Sequence, residues 1–242
     1  MKHFIFLLLT LFALPATASL KIAVASNFKV TLDEIVLQYQ LQRNPQLPKQ
    51  RILVSSGSTG VLYNQIRHGA PFDLFLSADS QRAKLIEQSP LGVDNSRFTY
   101  ARGALAFWLP SSDVVIDKRY LLNLKGRVAI ANPKLAPYGL AAQQALQSLQ
   151  LWSKLSYIQG NNISQTYQFI DTGNIKAGFV AHSLLLQNNA TNYYLLPVDS
   201  YQPILQQGVI LTKSQHKPEV QHFLDFLQSE AIAQLIRSKG YL

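Results

Sequence analysis

Short apolar runs alternate with amphipathic segments through most of this chain, and the connections between them are only a few residues long. Lys21–Ala25, Ile52–Ser55 and Phe72–Leu76 read as strands. Phe28, Leu32, Ile35, Val36 and Tyr39 recur at helical spacing, Val61–His68 continues a helical pattern, and Ser80–Gln88 reads as a third helix. Strand–helix alternation with such short links requires a parallel α/β sheet, because a parallel pair needs a crossover and the crossover is the helix. A second unit of the same kind follows. Its strand runs are Tyr100–Leu109, Val128–Ala131, Tyr157–Ile158 and Ala177–Ala181, and its helices are Leu140–Leu149, a segment opened by Asn161–Ser164, and His182–Gln187. Late in the chain Gly208–Leu211 is apolar. One long amphipathic helix is expected from Pro218 to the stop at Lys239-Gly240, with Val220, Phe223, Leu224, Leu227, Ala231 and Leu235 on its inner face.

The N-terminus has a different character. Lys2 and His3 precede an apolar run from Phe4 to Leu14, and Ala16-Thr17-Ala18 is an A-x-A pattern, which predicts a cleaved export signal over residues 1–18. The run is about half the roughly 20 residues a membrane span needs. Cleavage before Ser19 leaves 224 of the 242 residues and, with Lys2 gone, lowers the formal charge from +9 to +8. The chain has no cysteine. That excludes disulfides, Cys-ligated metals, cysteine nucleophiles and a lipid-modified N-terminal cysteine. The expected product is an exported, periplasmic protein without a membrane anchor. The pI is near 9.7, yet Lys21, Lys29, Arg43, Lys49, Arg51, Arg67, Lys118, Arg119, Lys125 and Arg127 form no dense block. Such scatter describes a solvated basic surface, and no nucleic-acid partner is expected.

Four strand-to-helix turns could carry chemistry: Ala25-Ser26-Asn27, Gly57-Ser58-Thr59-Gly60, Pro137-Tyr138-Gly139 and Asn161-Asn162-Ile163-Ser164. Each lies at the carboxyl end of an expected strand, where open α/β sheets bind ligands. Each offers unpaired N–H groups at a helix N-terminus, where the dipole favours an anion. Ser, Thr, Asn and Gly are also ordinary cap residues, so any one turn alone is equally a plain helix start. Gly57–Gly60 is the strongest of the four. No Gly-Lys-Ser/Thr follows it, so it is no Walker loop, and it is not the G-x-S-x-G elbow of hydrolases.

Val24–Phe28, Ser55–Gly60 and Gly69–Asp79, with Arg97–Ala101, Asn132-Pro133, Ala136–Ala141, Gly173-Asn174 and Gly178–Ala181, resemble the periplasmic molybdate-binding proteins of ABC importers. The resemblance runs in order along essentially the whole mature chain. It implies two α/β lobes joined by crossing strands, 19–99 with 203–242 and 100–202, the ligand lying in the cleft between mixed, mostly parallel sheets. It also implies a monomer that delivers its oxyanion to a membrane permease, with no cofactor and no metal bound as a cation. Carried over one at a time, its ligand positions fall on Ser26 and Asn27 in the first turn and on Ser58 and Thr59 in the second, where many relatives have two serines. Backbone donors from the other lobe fall on Tyr138 and Ile163. One branch of the family uses a tyrosine hydroxyl after the Gly-Phe-Val-Ala strand; Ala181 stands there in this sequence, so the Asn27 branch is the better guide.

A fully ionised tetrahedral oxyanion has acceptors only, so a donor-only site satisfies it and disfavours protonated phosphate. Hydrogen bonds to a charged group contribute roughly 1.5–3 kcal/mol each. Several of them offset desolvation without a lysine or arginine. Molybdate and tungstate are then separated from sulfate by cavity size. Three other readings compete: a binder of sulfate or another oxyanion, a non-transport sensor domain, and an exported serine hydrolase with Ser58 as nucleophile. In the last, His68, His182, His216 or His222 would serve as base, and none of these stands in a triad context. Asp79-Ser80 reads as a helix cap, and Tyr193, Tyr194 and Tyr201 as core or hinge aromatics rather than a sugar platform.

Overall fold

A computed structural model describes residues 19–43, 50–110 and 112–242. The expected export signal, residues 1–18, lies outside them. Two five-stranded sheets carry the fold. In the first, β1 (Ser19–Ala25) lies between β2 (Arg51–Gly57) and β3 (Leu74–Ser77), all parallel. Helices α1 (Lys29–Gln42), α2 (Thr59–Arg67) and α3 (Ser80–Glu87) follow these strands in turn. The second sheet repeats the plan. There β6 (Arg127–Ala131) lies between β7 (Ser156–Gly160) and β8 (Gly178–Ala181). A short α4 (Lys118–Leu122) precedes β6; α5 (Pro137–Ser148), α6 (Ile163–Asp171) and α7 (His182–Gln187) follow the three strands. This is the expected α/β class, with the carboxyl ends of parallel strands leading into helices in each half.

Two further strands, joined by antiparallel pairings, complete each sheet and tie the halves together. The chain leaves the first sheet through β4 (Phe98–Gly103) and enters the second through β5 (Leu105–Trp108) after the single residue Ala104. It returns from β9 (Tyr193–Leu195) to β10 (Ile204–Ile210), which pairs with both β3 and β4. Each half has its own apolar interior. One is built around Phe28, Leu32, Leu74 and Phe223, the other around Phe107, Ile130, Ala142 and Phe179. Tyr201 is buried in the second core and its hydroxyl accepts the Leu105 N–H at 3.1 Å, while Tyr193 and Tyr194 pack on the same core, so these tyrosines are structural.

The C-terminal segment corrects one expectation. In place of a single helix there are two, α8 (Pro218–Leu227) and α9 (Glu230–Ser238), with Ser229 extended between them. Serine favours the start of a helix over its interior. The break advances the inner face by one residue. Ile232 and Ile236 are buried, whereas Ala231 is exposed and Leu235 is only partly covered. A continuous helix would have left two isoleucines in water. The interruption buries them on the same core as Val220 and Phe223.

Candidate functional site

The four turns converge. Ser26, Asn27, Ser58, Thr59, Tyr138 and Ile163 all line one small pocket between the sheets, together with Ala25, Gly57, Ala78, Ala136 and Pro137. The two crossing links place the strand ends of both halves face to face, which is why turns more than a hundred residues apart meet. All six residues are buried. Among the described residues no Lys, Arg, Asp, Glu or His lines the pocket. The cavity is narrow, about 10 Å³.

Its chemistry follows from how the first helical turns are satisfied. In α2 the Ser58 hydroxyl accepts the Val61 N–H at 3.4 Å, and the Gly60 N–H reaches across to the Leu135 carbonyl at 2.8 Å. In α6 the Asn162 side chain accepts the Gln165 N–H at 2.9 Å, and its carbonyl accepts that of Thr166. In α5 the first residue is Pro137, which has no N–H to satisfy. That leaves the N–H groups of Thr59, Tyr138 and Ile163 without a protein acceptor among the described residues, each on the pocket wall. Three helix N-termini and the Ser26–Phe28 turn therefore present positive partial charge and free donors to one point. The Thr59 hydroxyl accepts the Ala78 N–H at 3.0 Å, which fixes its rotamer and leaves its proton free to donate.

Beneath the pocket lies a buried polar network that the sequence did not announce. The Asn27 carboxamide donates to Gln206 Oε1 at 2.9 Å and to the Tyr241 hydroxyl at 3.3 Å, and Tyr241 in turn donates to the Asn27 carbonyl at 2.8 Å. Both N–H groups of that amide are used here, so what Asn27 has left for the pocket is its backbone. Gln206 Nε2 donates to the Tyr138 hydroxyl at 3.2 Å, and the single proton of the Tyr100 hydroxyl is shared between the Ser77 carbonyl at 3.0 Å and Gln206 Oε1 at 3.2 Å. Burial pushes the Tyr138 and Tyr100 hydroxyls well above 10 and Tyr241 up to about 12, so all three stay neutral. Gln206 stands on β10 in one half and Tyr138 on α5 in the other. The network is thus a polar floor shared by both sides of the cleft.

The remaining candidates lie elsewhere. Ser58 is a helix cap, and its pocket holds no base. His68 bonds its own helix at the Asn64 carbonyl, His182 sits beside Tyr193, and His216 and His222 are exposed. Asp79 caps α3 through the Arg82 N–H at 2.7 Å, as its sequence context suggested. Asp73 is a buried structural anion. It accepts from the Lys21 N–H and from Lys217 Nζ at 2.6 Å, and it also bonds the Ser214 hydroxyl. Among the described residues no group of three or more His, Asp or Glu is placed to hold a metal ion.

Comparison with known proteins agrees with this geometry. Residues 20–242 match the family described as bacterial extracellular solute-binding protein. A molybdate-binding protein ModA from Azotobacter vinelandii is 37% identical over 93% of this chain and 90% of its own. The ModA of Rhodobacter capsulatus is 37% identical over 95% of this chain and 91% of its own. The solved periplasmic molybdate-binding protein of Azotobacter vinelandii superposes with a TM-score of 0.83 at 31% identity, covering 92% of this chain and 98% of that one. These relatives are binding proteins, not enzymes, and this chain belongs with them to the family of bacterial extracellular solute-binding proteins.

Proposed function

We propose that this protein captures molybdate, and tungstate with it, in the cleft between its two lobes and hands the ion to the permease of an ABC importer. The observation that carries the reading is the pocket's wall. Four strand-to-helix turns offer N–H and hydroxyl donors to one point, with no charged side chain among them. In this reading Ser26, Ser58 and Thr59 donate through their hydroxyls, and Asn27, Tyr138 and Ile163 through their backbone N–H groups. A dianion without protons is the ligand that such a set satisfies, and fixed dipoles in a dry cleft hold it without reorganisation. Relatives named for molybdate support the choice of ion.

The mature protein acts in the periplasm as a monomer, after cleavage before Ser19. Its lobes are 19–99 with 203–242 and 100–202, and closing them around the ion creates the surface that the permease reads. Isothermal titration of residues 19–242 with molybdate, tungstate, sulfate and phosphate tests this directly. One tight site for the first two ions and none for the others is expected. Heat from sulfate but not molybdate would reassign the ion, and silence from all four would reject the reading.

A further inference from the structure

Beside the pocket, but not on its wall, the two lobes grip each other at a second place. The segment Asn132–Ala136 leads into α5 and is wound into a tight turn. The N–H groups of Leu135 and Ala136 bond the Asn132 carbonyl at 3.0 and 2.9 Å, and that of Lys134 bonds its side chain at 3.0 Å. Asn132 itself is tied to its own lobe by a bond to the Gly160 carbonyl. So wound, the turn presents two consecutive carbonyls, Lys134 and Leu135, to the opposite lobe. The Gly60 N–H takes the Leu135 carbonyl at 2.8 Å, and Arg82 Nη2 takes the Lys134 carbonyl at 2.8 Å.

Both donors are prepared for this contact. A side chain at Gly60 would place Cβ 3.0 Å from the Leu135 oxygen and 3.1 Å from its Cα, so a larger residue there would push the two lobes apart by a few tenths of an ångström. Arg82 is held by the Asp79 carboxylate through its Nη1 at 2.5 Å and its own N–H at 2.7 Å, with both side chains mostly covered. An arginine fixed by an ion pair loses little side-chain freedom when it makes one more bond.

From this geometry we propose that Arg82, with Gly60, is the latch of the closed cleft. It touches no ligand, and it sets how long a captured ion stays by stabilising closure over opening. The inference rests on the oxyanion reading above. A latch of this kind acts on release rather than capture, since ions enter the open form before the bond exists. Loss of one charge-assisted bond of this type is expected to speed release about tenfold.

The experiment loads residues 19–242 with molybdate, chases with excess tungstate, and follows protein-bound molybdenum after rapid desalting. Arg82→Ala is expected to release molybdenum about tenfold faster than wild type, with an unchanged urea midpoint for the ligand-free protein. Arg82→Lys should fall between, because an ammonium cannot span the Asp79 carboxylate and the Lys134 carbonyl as a guanidinium does. Asp79→Asn, which keeps the cap of α3 but loosens the guanidinium, should also speed release. Wild-type release from Arg82→Ala would overturn the proposal. So would faster release accompanied by an equal loss of ligand-free stability, which would make Arg82 a support of its own lobe. If wild type retains neither ion, the oxyanion reading fails by itself. Small-angle scattering then judges the latch: a less compact Arg82→Ala supports it, and identical profiles refute it.

Discussion

Gln206→Leu removes the centre of the polar floor, and its cost can be worked from the bonds it breaks. Gln206 is fully buried, donates to the Tyr138 hydroxyl, and accepts from Asn27 and Tyr100. Tyr100 keeps its bond to the Ser77 carbonyl and Asn27 keeps Tyr241, so neither side chain is stranded outright. One Asn27 N–H and the Tyr138 hydroxyl lose their bonds to Gln206. The hydroxyl packs directly against Gly103, where a Cβ would stand only 2.3 Å from it. Each orphaned group costs about 1–3 kcal/mol, and the apolar leucine returns part of that, so a net loss of about 2–4 kcal/mol is expected. Urea unfolding reads it as a lower midpoint at constant slope. The double variant with Tyr138→Phe has no hydroxyl to strand and should recover about 1–2 kcal/mol relative to simple addition of the two single losses. A single variant as stable as wild type, or a double variant whose loss is purely additive, would refute the reasoning.

Further perturbations follow from the same contacts. Ser26→Ala and Ser58→Ala should each weaken molybdate binding by about 1–3 kcal/mol in titration, the cost of an acceptor left unpaired in the cleft. Thr59→Val should weaken binding and also strand the buried Ala78 N–H, lowering stability by about 1–3 kcal/mol, whereas Thr59→Ser should change little. Gly139→Ala should unseat the start of α5, because its Cβ would fall 2.1 Å from the Ala131 carbonyl oxygen; molybdate titration should read a loss of affinity. Burial pushes the Asp73 carboxyl up, but the bonds from Lys217, Ser214 and the Lys21 N–H outweigh it and hold the group below the usual carboxylate range. Its contribution to stability is therefore complete above the unfolded value near 4 and is lost as the pH falls through the lower folded value. Asp73→Asn should flatten the acid limb of a stability profile; an unchanged profile would exclude this group.

Much of this was readable before the structure. The alternation of strands and helices was plain because the inner parallel strands β1, β3, β6 and β8 are buried and apolar, and the turns after β2, β3 and β7 carry the cap residues Ser58, Asp79 and Asn162. Ser58 and Asn162 are caps by type and by bond. The four turns that line the pocket were legible by residue type, and the resemblance to molybdate-binding proteins singled out the positions within them; the topology alone brings the turns together. What the sequence hid is long-range. Gln206, Tyr241 and Tyr100 are single polar residues in unremarkable contexts, joined to Asn27 only by the fold. The grip of Gly60 and Arg82 on Lys134 and Leu135 is equally silent, since its acceptors are backbone carbonyls. The α8–α9 break was missed because a helical period tolerates a one-residue change of phase. The short elements α4 and β9 carry too few residues to show a period at all.

The central claim is that four neutral turns hold a tungstate-like dianion at one point in the cleft. Anomalous diffraction at a tungsten edge, from crystals of residues 19–242 grown with tungstate, tests it most directly. A single peak within hydrogen-bond reach of Ser26, Ser58, Thr59, Tyr138 and Ile163, with no cationic side chain in contact, is the expected result. A peak seated instead on the basic surface, or on a lysine or arginine, would contradict the account.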